Sequence, residues 1–117
     1  DLAQELNTPW MNVYASMPYP GSQMWNDYPE HHNLPWSAFS QHSRETHPTK
    51  TATLTSAQVL EFRDKFFTRY FSSPRYLGML VREFGTKAVK EVQAMTSHKL
   101  ERNLLEKQHG QSLQMAQ

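Results

Sequence analysis

Glu30-His31-His32, followed by His42, Glu45 and His47, is where this chain concentrates side chains that could do chemistry. Imidazole and carboxylate are ligands for zinc and for non-haem iron. A metal centre also needs rigid placement and a supporting layer of hydrogen bonds behind the ligands. These residues fall in the least regular part of the chain. No His-x-x-x-His pair sets two rings on one helical face. Adjacent His31 and His32 point apart in an extended segment. His31 and His32 are therefore the candidates that ligand chemistry selects, and the expectation is that no metal and no cofactor is bound.

Other catalytic constellations fare no better. The chain has no cysteine, which removes thiol catalysis, disulfides and iron–sulfur ligation. It has no Gly-x-Ser-x-Gly elbow. Its four glycines are never closely repeated, so phosphate-binding glycine loops are out. Paired carboxylates for glycoside chemistry need a cleft, which two helices do not readily make. The chain is not expected to be an enzyme.

A nucleic-acid surface is the stronger rival. Arg63, Arg69, Arg75, Arg82, Lys87 and Lys90 lie close in sequence to Tyr70, Phe71 and Tyr76. Such a mixture can hold phosphates and stack bases, or meet anionic lipid headgroups. Asp64, Glu83 and Glu91 interrupt it, and the pI of about 8.2 is short of a strongly basic footprint. RNA or lipid contact through Arg63, Arg69, Arg75 and Arg82 is thus a secondary expectation.

These residues are carried by two halves of different character. Residues 1–53 hold six of the seven prolines and all three tryptophans, with five acids against two bases. Residues 54–117 hold ten bases, six acids and one proline. A proline every eight to ten residues breaks helices and cannot enter central strands. Residues 1–53 should therefore form an irregular, extended arm. Within it, 1–7 suits a short helix ending before Pro9, and Tyr19-Pro20-Gly21-Ser22 suits a turn. So many prolines and aromatics in about 40 irregular residues point to a segment ordered by something outside the chain, the alternative being that the aromatics fold back to complete the chain's own core.

Residues 54–110 read as a helical hairpin, with helices at about 56–72 and 74–109 and a frayed tail over 111–117. Thr55 with Gln58 has the spacing of a capping box. Ser73 with Pro74 has the form of a cap followed by the first helical residue. Leu77, Leu80, Val81, Phe84, Ala88, Val92 and Met95 recur at three and four. Gly85 is a place for a kink. Beyond Met95 interspersed charges suggest a solvated helix.

The fold class expected is therefore mainly α: an extended arm followed by a helical hairpin with a long second helix. At 117 residues there is room for one domain at most, and no apolar run reaches the 18 residues a membrane span requires. Fourteen aromatics and a net charge of +1 argue against plain disorder. A start at Asp1 rather than Met means either that the front is missing or that a presequence was removed, and removal would suit an imported organelle protein.

In style, a Pro/Trp/Tyr arm followed by helices resembles accessory subunits of large mitochondrial assemblies, and also microtubule-associated structural proteins of cilia. The resemblance implies a non-catalytic subunit of a respiratory-chain or ATP synthase complex, peripheral in the mitochondrion. The alternatives are a ciliary structural protein or a mitochondrial ribosomal, RNA-contacting subunit. The partner-facing side chains expected are Trp10, Tyr14, Trp25, Tyr28, Trp36 and Phe39 on the arm, and Phe62, Phe66, Tyr70, Leu77, Val81 and Phe84 on the hairpin.

Overall fold

The computed structural model describes residues 2–108. Of these, 59% are helical and none lies in a strand, so the chain is mainly α, with one long helix. The described chain separates into two compact units: residues 2–13 with 64–99, and residues 14–63 with 100–108.

The first unit begins with α1 (Leu2–Leu6), which stops short of Pro9. Asn7 closes it at φ 50°, a left-handed conformation that Asn tolerates well. Helix α3 (Ser56–Phe71) contributes its last two turns to this unit. Helix α4 (Pro74–Ser97) follows at once. Ser73 caps α4 by accepting from the Tyr76 amide, and Pro74 fills the first position, where its missing N–H leaves nothing unpaired.

The core of this unit is aromatic. Tyr70, Phe71, Tyr76, Met79, Leu80 and Val92 are buried together, with Met11, Phe67, Ala88 and Met95 packed against them. Phe71 sits at the centre, 4.8–5.3 Å from the rings of Trp10, Phe67, Tyr70 and Tyr76. Buried phenols need partners. The Tyr70 hydroxyl donates to the Thr8 carbonyl at 2.8 Å, and the Tyr76 hydroxyl to the Pro9 carbonyl at 3.0 Å. Burial, and then the neighbouring Tyr70, holds the Tyr76 hydroxyl above its usual titration range. Two tyrosines therefore pin residues 8 and 9 to the helices.

Gly85 interrupts α4 with φ 81° and ψ 175°. Only glycine takes that conformation without strain. The long helix is thus two helical segments on either side of Gly85. It also ends earlier than the expected residue 109. Thr96 and Ser97 turn their hydroxyls back onto the carbonyls of Val92, Gln93 and Ala94, a competition with the helical ladder. His98 then takes an extended ψ of 109°. Helical geometry returns over 103–108. The expected end by Gly110 and the tail at 111–117 lie outside the described residues.

The second unit holds most of the expected arm, and there the arm is folded. Pro20 and Gly21 occupy a turn closed by the Ser22 amide on the Tyr19 carbonyl at 3.0 Å. Gly21 has φ 86°, the value a type II turn demands of its third residue. Ser22 caps α2 (Gln23–Asp27). Two 3-10 turns follow, Pro29–His31 and Trp36–Phe39. The start of α3 carries the capping box. Thr55 Oγ1 accepts from the Gln58 amide at 3.2 Å, and the Gln58 side chain accepts from the Thr55 amide at 2.9 Å.

Side chains bonded to backbone tie this unit together. The Gln41 amide both donates to the Ala15 carbonyl, at 2.8 Å, and accepts from the Ala15 N–H, at 3.0 Å, as a neighbouring strand would. The Thr49 amide donates to Ser16, and the His47 amide to Ala38. Arg102 is 3% exposed. It donates to the Ser43 carbonyl at 2.7 Å, Thr46 Oγ1 at 2.6 Å and the Gln41 carbonyl at 3.0 Å. This corrects the expectation of a solvated helix after Met95: a guanidinium offers several donors in a fixed fork, and the loop 41–46 supplies acceptors for them.

Candidate functional site

Within the first unit, both segments of α4 line one groove of about 340 Å³. Tyr76, Leu80 and Phe84 come from before Gly85, and Ala88, Glu91, Val92 and Met95 from after it. Pro9 and Trp10 complete it. The lining is apolar apart from Glu91, which makes a long ion pair with Lys87 at 3.9 Å. Two of the large rings at the groove remain open to solvent: Trp10 and Phe84 are each 57% exposed. Trp10 is held in place by its ring contact with Phe71 and by donating its indole N–H to Asn12 at 3.2 Å.

The expected partner-facing residues divide three ways. Trp10, Val81 and Phe84 in the first unit, and Tyr14, Trp36 and Phe62 in the second, are exposed. Trp25, Tyr28, Phe66 and Leu77 are half-buried. Tyr70 and Phe39 are buried in their own units and cannot present their rings to another protein. For these two the expectation is corrected. Tyr70 faces Phe71 and Tyr76, and Phe39 lies 5.6 Å from the ring of Trp25. The sequence offered a signal for the far wall of the groove, because Leu80, Phe84, Ala88, Val92 and Met95 repeat at four and three. It offered none for Pro9.

The histidines lie in the second unit and face different ways. His31 is 2% exposed. Its ring meets that of His47 at 5.2 Å and 77°. Its Nε2 is 3.4 Å from the Pro48 carbonyl, and the Nδ1 atoms of His31 and His47 are both buried without a hydrogen-bond partner. Burial, and then the nearby His31, pushes the His47 imidazole below its ordinary range. His32 turns outward and stacks on Trp25 at 4.2 Å. Glu45 is bonded to Ser37, and Glu30 to Lys50 at 3.5 Å. Among the described residues no three His, Asp or Glu side chains are grouped so as to hold a metal ion.

Of the arginines expected to meet RNA or lipid, Arg69, Arg75 and Arg82 are exposed. Arg63 is buried. Arg75 donates to the Glu5 carbonyl at 3.0 Å, and Arg82 pairs with Glu83 at 2.8 Å. Among the described residues no helix is long and apolar enough to cross a membrane. Compared with protein-family models, curated proteins and solved structures, the chain matches none.

Proposed function

We propose that this chain is a non-catalytic accessory subunit that docks onto other proteins of a larger assembly through the groove on its first unit. One observation carries this reading: Trp10 and Phe84 stand more than half exposed beside an otherwise apolar groove. Large aromatics that fill a partner's pocket, or frame one, dominate binding at interfaces. Fully burying such a ring removes roughly 150–250 Å² from water, so covering one that is 57% exposed removes about 90–140 Å², worth about 2–4 kcal/mol at about 25 cal/mol per Å² before association entropy is subtracted. Tyr14, Trp36 and Phe62 give the second unit exposed rings of its own. Near-neutral charge and an aromatic surface suit a peripheral subunit of a mitochondrial respiratory-chain or ATP synthase complex, a placement that rests on sequence style.

The test is sedimentation of the full chain in native extracts. The wild type should travel with a particle far larger than its own 13.7 kDa. A Trp10→Ala/Phe84→Ala variant with unchanged helical circular dichroism should travel alone. Sedimentation of the wild type as a free chain would refute the proposal.

A further inference from the structure

Two imidazoles stand in ring contact, one of them almost fully buried, and each keeps a buried Nδ1 without a hydrogen-bond partner. We propose that the His31–His47 contact is a pH-sensitive latch, which keeps residues 14–63 folded at neutral pH and lets them open on mild acidification.

The latch joins segments distant in sequence. His31 ends the 3-10 turn Pro29–His31. His47 precedes Pro48, whose carbonyl lies 3.4 Å from His31 Nε2. On one side of His47, its amide holds the Ala38 carbonyl at 2.9 Å, and on the other the Thr49 amide holds Ser16 at 2.9 Å. Separating the rings would therefore loosen both attachments.

Burial, and then the His31 ring, oppose a charge on His47, more than the backbone carbonyls of His47 and Pro48 favour it. The titratable and charged groups around the pair are Tyr28, His32, Glu30, Glu45, Lys50, Arg102 and Lys107. Tyr28 presents its ring to His31 at 6.1 Å, edge to face. His32 faces Trp25. Glu30 is paired with Lys50, and Glu45 is bonded to Ser37. Arg102 holds Thr46, next to His47, and the Lys107 charge opposes a positive His47. The acids of residues 100–108, Glu101 and Glu106, are turned to Arg44. A desolvated imidazolium without a counter-ion is costly.

The direction of the pH effect follows from linkage. A histidine whose protonation is disfavoured in the folded state binds its proton more readily once the fold opens. The stabilisation is complete above the ordinary histidine value of 6.5 and declines as pH falls through the lowered folded value. Histidine is the side chain suited to switching in this window.

The experiment is amide hydrogen exchange on the full chain at pH 7.5 and pH 5.5, each rate divided by the intrinsic rate at that pH. In the wild type the opening constants of the His47 and Thr49 amides should rise severalfold from pH 7.5 to pH 5.5, with about tenfold as the ceiling for uptake of one proton by the open state alone. Amides of 74–97 should change far less. In a His31→Phe/His47→Phe variant, which keeps the ring volume and removes the protons, the rise at Thr49 should vanish. If the double variant does not fold, His47→Phe and His47→Gln should each blunt the rise. An unchanged pH response in these variants, or an equal response in 74–97, would overturn the latch.

Discussion

The two units solve the same problem with different forces. In residues 2–13 and 64–99 the buried set is Tyr70, Phe71, Tyr76, Met79, Leu80 and Val92, brought together by helices that satisfy their own backbone. In residues 14–63 and 100–108 the buried set includes His31, Thr46, Thr49, Arg63 and Arg102, alongside small or single apolar residues such as Ala15, Ala38 and Phe39. Little of that backbone lies in a long helix, so its polar groups must be met by side chains. Gln41, Thr49 and Arg102 meet them. The lesson is that a proline-rich segment can fold without strands or long helices when polar side chains take over the work of a ladder.

Two substitutions would break or sharpen this contrast. The larger effect is expected at Arg102. Arg102→Ala strips the Gln41 and Ser43 carbonyls and Thr46 of a charged donor, and should cost about 3 kcal/mol. Urea denaturation would measure the loss, and exchange protection should fall in 14–63 while 74–92 holds. A cost under about 1 kcal/mol would mean that hydrogen bonding is not what secures this unit. The smaller effect is expected at Tyr76. Tyr76→Phe keeps the ring in its aromatic cluster and removes only the donor to Pro9, so about 1 kcal/mol should be lost. A loss as large as that at Arg102 would show the first unit to be no less dependent on polar contacts than the second.

What was legible in the sequence was local. The Thr55–Gln58 capping box, the Ser73-Pro74 helix start, the Pro20-Gly21 turn and the stop before Pro9 each depend on residues within a few positions of one another. The apolar repeat from Leu80 to Met95 likewise announced one wall of the groove. What was hidden was distant and polar. Arg102 finds its acceptors 56–61 residues earlier in the chain, and Gln41 finds Ala15 26 residues away. No periodicity marks such pairs. The same holds for Phe39, whose burial depends on neighbours such as Trp25 rather than on any pattern of its own. The end of α4 at Ser97 was missed because Leu100, Leu104 and Leu105 continue a helical spacing that the hydroxyls of Thr96 and Ser97 interrupt.

The central structural claim is that the proline-rich half folds on the chain's own contacts and leaves Trp10, Tyr14 and Trp36 exposed. Amide hydrogen exchange of the purified, isolated chain at neutral pH tests it most directly. The amides of Ala15, His47 and Thr49, bonded to Gln41, Ala38 and Ser16, should be protected along with the α4 core. Exchange at random-coil rates throughout residues 14–53, with protection confined to the helices after Thr55, would contradict it and return that half to an arm that waits for its partner.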